Sequence, residues 1–289
     1  MAKLRTRKHK VVLSRSAGGD AGITVLLVIL GVFMFLPMVY AVAQSLKPLD
    51  ELWMYPPRFF AKNPTLTNFR DLFMLMNTSW VPFSRYIFNT ILISVGGTFG
   101  HLFLASLCAY ALAKIKFPGG RLMFQTVQTS LMFHSTITAV CSFIIMSTFR
   151  MIDTLWAVIV PAWASTLGLY LMKQFMEQLP DSLIESARLD GASEFGIFWR
   201  IVMPNVKPAW LTLAIFQFQQ MWSNTGGTFL RDEQLKPMQY ALYQISAGGA
   251  ARAGAGAAVT FIIAAVPITF FLICQSNILE TMTSSGMKE

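Results

Sequence analysis

The chain has 289 residues, of which 54% are hydrophobic and only 13% charged, and its formal net charge is +9. That balance is too apolar for a soluble globule of ordinary charge content and places the chain in a membrane. The basic excess reads as topology, not as a nucleic-acid surface, because its densest run, Lys3 to Arg15, abuts an apolar stretch.

Marking every charged residue leaves six gaps long enough to cross a bilayer: 21–46, 86–113, 122–149, 154–172, 208–230 and 253–279. Their apolar runs do not alternate, so they predict helices and not a barrel. The expectation is an all-α integral membrane protein with six transmembrane helices, spans about 22–44, 86–113, 122–149, 154–176, 206–224 and 254–279. Residues 1–20 form a basic arm, 21–281 the membrane domain and 282–289 a tail. Counted over alternating segments, 14 Lys and Arg fall on the N-terminal side and 9 on the other. The positive-inside rule then puts both termini, and the segment 179–208, in the cytoplasm.

In chain order, span one contains Pro37, a predicted kink or packed bend. Residues 47–85 combine five prolines with Trp53, Tyr55, Phe59, Phe60, Phe69 and Trp80, a mixture suited to an interfacial cap on the outer side. Span two carries Asn89, His101 and the glycines Gly96, Gly97 and Gly100, which predict close helix contacts. Span three contains His134 near its middle. Span five carries Gln217, Gln219, Gln220 and Asn224. Asn89, His134, Gln217, Gln220 and Asn224 are therefore candidates to line a translocation path, with interhelical hydrogen bonding as the competing reading. Residues 225–252, with Gly226, Gly227, Arg231, Gly248 and Gly249, lack the periodicity of a packed element and read as a flexible outer loop. Cys108, Cys141 and Cys274 fall inside spans without ligand spacing and read as packing residues, so no metal site is expected.

The segment from Leu179 to Pro208 is a charged, amphipathic island. Ser182 and Glu185 have capping-box spacing after Pro180, so a helix is expected to begin near Asp181. Gly191 supplies a break, read as a left-handed C-cap. A second helix is expected from about Ser193, with Phe195, Phe198, Trp199 and Val202 on one apolar face and Pro204 as its stop. The result is an elbow, residues 181–204, between spans four and five. Physical reasoning leaves its partner open between lipid headgroups and a docked protein.

Glu185-Ser186-Ala187, three residues, Gly191, nine residues, then Ile201-Val202-Met203-Pro204 resembles the E-A-A…G…I-x-L-P signature of permease subunits in ATP-binding-cassette importers. Ser186 and Met203 depart from it. The surrounding sequence resembles the carbohydrate-uptake branch, and in particular the maltose-type second permease. The resemblance implies that the elbow is a coupling helix, carried by Glu185, Ser186, Ala187, Arg188, Leu189, Asp190, Gly191, Ala192, Phe195 and Phe198. It implies a second permease subunit, two ATP-binding cassettes that hold ATP and Mg, and an extracytoplasmic substrate-binding protein touching the loop with Gly226, Gly227, Arg231, Gly248 and Gly249. It further implies a multi-pass protein of a prokaryotic cytoplasmic membrane, carrying a carbohydrate, with an oligosaccharide favoured by the branch over a monosaccharide, disaccharide or polysaccharide fragment.

No G-x-x-x-x-G-K-[ST] phosphate cradle occurs in the sequence, and no catalytic constellation is apparent, so the chain is expected to be neither the ATPase nor another enzyme. An ion-coupled secondary transporter and a non-transporting membrane scaffold are the alternatives.

Overall fold

The structure, a computed structural model, describes residues 17–285 apart from 79 and 134. Among the described residues every regular element is helical. α1 (Ala17–Ser45) leads through the short α2 (Leu49–Leu52) and α3 (Thr67–Asn77) to the long α4 (Phe83–Lys114). Next come α5 (Gly120–Ser130), α6 (Ser135–Thr148), α7 (Trp156–Trp163), α8 (Thr166–Glu177) and α9 (Asp181–Leu189). α10 (Glu194–Ile197) passes through a π turn, Phe198–Val202, into α11 (Met203–Asn205), and α12 (Lys207–Trp222) follows. α13 (Met238–Ser246) and α14 (Ala253–Ser285) complete the order.

Among the described residues, three helices are long and apolar enough to cross a membrane: Gly18–Ser45, Phe83–Lys114 and Ala250–Gln275. They occupy the first, second and sixth expected spans. The third expected span is divided into α5 and α6, the fourth into α7 and α8, and the fifth is the 16-residue α12.

α4 is the centre of the bundle, packed against α7, α8 and α12. Its glycines make this possible. A Cβ on Gly97 would sit 2.8 Å from Met221 Sδ of α12, and one on Gly100 would sit 2.0 Å from Trp163 Nε1 of α7. α14 lies against α12, α3 and α13, and is also the principal helical neighbour of α1.

The division of the fourth expected span has a backbone cause. Pro161 lies in α7 without an amide hydrogen to give, and the helix ends two residues past it, with Ser165 extended at ψ 118. Carbonyls freed at membrane depth need donors. Gln217 Nε2 donates to the Ala162 carbonyl (3.2 Å), and His101 Nδ1 lies 3.0 Å from the Trp163 carbonyl, which fixes its hydrogen on Nδ1. Trp163 Nε1 in turn donates to Gly96 O (2.9 Å). Helices on either side therefore cap the break.

At the α3 end, residues 47–85 are knitted by buried polar groups. The Glu51 carboxylate accepts the Lys62 and Asn63 amides (2.8 and 3.0 Å), Lys47 Nζ donates to the Arg58 carbonyl, and Asn68 Nδ2 donates to Ser45 O and Lys47 O (2.9 and 2.7 Å).

The expected flexible loop at 225–252 is largely packed. α13 buries Met238, Leu242 and Ile245 against Leu72 and Met76 of α3 and Ala255, Ala258 and Val259 of α14. The spacing i, i+4, i+7 gives those nine residues an apolar face, although their glycine-rich flank conceals it.

Candidate functional site

The elbow is present as two helical arms meeting at Gly191. Pro180, at φ −60 and ψ 131, occupies the N-cap of α9 and offers no side-chain acceptor. Ser182 therefore lies inside the first turn, where its carbonyl accepts from Ser186 Oγ (2.8 Å), and the expected Ser182–Glu185 capping box does not form. Glu185 is exposed, with no hydrogen-bond or ion-pair partner among the described residues; it lines a cleft of about 480 Å³ together with Lys114, Lys116 and Arg188.

Gly191 ends α9 in the left-handed region at φ +79. Its amide donates to Arg188 O and the Ala192 amide to Ala187 O, both at 3.0 Å, the paired bonds of a Schellman motif. A Cβ at Gly191 would meet nothing within 4 Å, so within this chain the position requires the dihedral and not the space. Ser193 then caps α10, its hydroxyl accepting the Gly196 amide at 3.2 Å.

The second arm differs from expectation in two respects. Pro204 does not end it. The π turn lets the Met203 amide reach Phe198 O, and Asn205 Nδ2 donates to the Ile201 carbonyl (2.7 Å), so the chain passes Pro204 and continues to α12. The wider turn also splits the expected apolar face. Phe198 and Val202 are buried, whereas Phe195 and Trp199 are exposed, Trp199 stacking on Phe103 of α4 with ring centroids 6.4 Å apart.

Ile184, Ala187, Ile197, Phe198 and Val202 form one core with Ala105, Ala109 and Tyr110 of α4, Met172 and Met176 of α8, and Leu213 of α12. Polar bonds lock the arms to one another and to α4. Arg188 Nε donates to Glu194 Oε1 (2.7 Å) across the Gly191 turn, and Tyr110 OH donates to Glu194 Oε2 (2.7 Å). Lys114 Nζ bridges Asp181 Oδ1 and the Leu179 carbonyl, each at 2.6 Å. What projects from this locked base is its tip: Leu189, 90% exposed, flanked by Glu185, Ser186, Asp190 and Ala192.

The Arg188 guanidinium, and then the Tyr110 hydroxyl, hold the Glu194 carboxyl below the usual carboxylate range, and Lys114 does the same for Asp181. A carboxylate with a depressed folded-state pKa contributes stability above its ordinary value, near 4, and loses it as pH falls through the depressed value. The elbow is therefore expected to hold at neutral pH and loosen below about pH 4. A nitroxide at Ala192→Cys should gain mobility in that window, and Glu194→Gln should remove the Arg188-borne part of the change.

The path candidates are scattered. Asn89 is buried and donates to the carbonyls of Gln234 (2.8 Å) and Lys236 (3.0 Å). Gln217 is buried at the α7–α8 break. Gln220 is exposed on α12, and Asn224 is half-buried, its side chain accepting the Gly226 amide (2.7 Å). His134 lies outside the described residues.

Residues 229–238 form a strap gripped from two sides. Asp153, itself at φ +64, takes the Arg231 and Asp232 amides on Oδ1 (both 2.9 Å) and donates its own amide to Phe229 O (2.8 Å). These bonds, the Asp232 amide first, keep its carboxyl below the ordinary range. From α4, Tyr86 OH donates to Glu233 Oε1 (2.7 Å), Arg85 Nε to Gln234 O (3.3 Å), and Thr90 Oγ1 accepts the Met238 amide (2.7 Å). Gly226 and Gly227 turn into the strap at φ +79 and +49, Arg231 projects from it, and Gly248 and Gly249 are exposed beyond α13. Sequence reasoning missed Tyr110, Lys114, Asp153 and Glu194. The pair Tyr110 and Lys114, one turn apart at the end of a span beside a charged island, was the available signal.

Residues 101–284 match the family described as binding-protein-dependent transport system inner membrane component. Protein LplC of Bacillus subtilis (strain 168) is 32% identical over 218 residues, 75% of this chain and 72% of that protein. The arabinooligosaccharides transport system permease protein AraQ of the same organism is 29% identical over 202 residues, 70% of this chain and 71% of its own. Among solved structures, a chain of a bacterial ABC transporter involved in the import of the acidic polysaccharide alginate superposes with a TM-score of 0.75 at 20% identity, covering 91% of this chain and 99% of that one, a likeness of fold. The chain, with its all-helical bundle and its glycine elbow, belongs to the family of inner membrane components of binding-protein-dependent transport systems.

Proposed function

We propose that the chain is the permease subunit of an ATP-driven importer and forms half of a translocation path for a carbohydrate, an oligosaccharide by the names of its relatives. It crosses the membrane six times, α5–α6 and α7–α8 each forming one interrupted span, with both termini and the elbow in the cytoplasm. The other half of the path is a second permease subunit. Two ATP-binding cassettes hold ATP and Mg and carry out hydrolysis, so this subunit is not catalytic. A substrate-binding protein docks on the opposite face, over the strap and the Gly248–Gly249 turn. Gln220 is the path candidate that its own chain leaves open.

The observation that carries this reading is the contrast within the elbow, a base locked by Tyr110, Lys114 and Glu194 beneath a tip whose Leu189 and Glu185 have no partner among the described residues. A rigid apolar knob with charge at its edge suits docking in a protein cleft and the passage of a rigid-body displacement. It does not suit an anionic headgroup layer, which the flanking Glu185 and Asp190 would oppose. Charge reversal, Glu185→Arg, is expected to lower recovery of the cassette in a pull-down by roughly tenfold, about 1.4 kcal/mol. Recovery equal to wild type would favour an elbow that docks no protein.

A further inference from the structure

α4 holds both proposed docking ends of the molecule. On its first two turns Tyr86, Asn89 and Thr90 grip the strap through the bonds at 2.7, 2.8, 3.0 and 2.7 Å described above. On its last turn Tyr110 and Lys114 grip the elbow at 2.7 and 2.6 Å. Between these grips the helix is uninterrupted and contains no proline. Tyr86 and Tyr110 are 24 residues apart, about 36 Å along the axis. The middle of the helix is fixed laterally as well, where Gly97 and Gly100 admit Met221 and Trp163 with no room for a methyl group.

We infer that α4 is a connecting rod that ties the strap to the elbow, with Asn89 and Tyr110 as the positioning residues at its two ends. Asn89 holds two strap carbonyls with one amide group, and Tyr110 holds the carboxylate that itself spans the two arms of the elbow. A displacement of the elbow by cassette closure moves Glu194, hence Tyr110, hence α4 as a body, hence the strap. Communication between distant sites requires an element whose position both ends bias, and α4 meets that requirement directly.

The inference rests on the reading of the elbow as the cassette-docking end, and one experiment separates the two. Amide exchange is followed in the complete transporter, nucleotide-free and trapped with Mg-ATP and vanadate. In the wild type, trapping should slow exchange in the elbow, residues 185–196, and shift exchange in the strap, residues 229–238, by roughly fivefold. In Tyr110→Phe the elbow should still respond to trapping, while the strap response falls below about twofold. The substitution lies too far from the strap for a local effect, and Phe retains the ring in the core. Glu194→Gln provides a second variant at the same end and should behave alike. Asn89→Ala should abolish the strap response from the other end. A strap that responds normally in Tyr110→Phe and Glu194→Gln overturns the rod. An elbow that does not respond even in the wild type overturns the docking assignment instead.

Discussion

Replacing Gly191 with valine is expected to leave the chain in the membrane and to abolish its recovery with the ATPase subunit. At φ +79 a residue bearing a Cβ loses about 1–2 kcal/mol relative to glycine, and a β-branched one more. That is roughly a factor of ten or more in the population of the closed turn. Opening the turn breaks the two bonds to Arg188 O and Ala187 O and pulls Arg188 from Glu194, so the strain dissolves the lock between the arms. Gly191→Asn separates the two possible demands at this site. Asparagine tolerates the left-handed region, so it keeps the dihedral while adding a side chain that only a docked partner would feel. Assembly retained in Asn but lost in Val assigns the requirement to the backbone; loss in both assigns it to space within the cassette cleft. Wild-type recovery and substrate-stimulated hydrolysis in Gly191→Val would remove the elbow from the coupling machinery.

The second large effect is expected at Gly100. An alanine there places its Cβ 2.0 Å from Trp163 Nε1 and 2.3 Å from Trp163 Cε2. The indole is a rigid plate, so it must swing away and give up its bond to Gly96 O. Overpacking of this kind costs about 1–3 kcal/mol, and here it also loosens the contact of α4 with the break between α7 and α8. Gly100→Ala should shorten the half-life of the subunit against heat in detergent several-fold, in line with that cost. Gly96→Ala, one turn earlier on the same helix, is the control. Its Cβ would lie 3.5 Å from Ile159 Cδ1, ordinary contact, and should change little. Equal heat sensitivity of the two variants would sink the account of Gly100 as the point of closest approach.

The uninterrupted helices α1, α4 and α14 were legible because their residue types alone exclude charge over a membrane's thickness. The breaks within the third and fourth expected spans were not. The donors that make the fourth-span break tolerable, His101 and Gln217, lie 62 and 55 residues from the carbonyls they satisfy. At the elbow, Gly191 and Ser193 were readable from local backbone chemistry. Ser182 and Pro204 were misread: Pro180 displaces the capping position, and a π turn carries the chain past a residue that would otherwise stop it. The strap was read as loose because its order comes from Asp153 and the start of α4, both remote in sequence.

α1 has a consequence for what must surround the subunit. Among the described residues, no residue of its most apolar stretch is buried within the subunit, and its principal helical neighbour is α14. That stretch is therefore offered to whatever surrounds the subunit, which at membrane depth is lipid or another apolar helix. Its composition meets that demand. It is the most apolar of the three long helices, whereas α4, which enters a bundle of neighbours, is the least. Hydropathy across the three thus runs opposite to burial within the subunit: 0% of the most apolar stretch is buried in α1, 11% in α14 and 33% in α4.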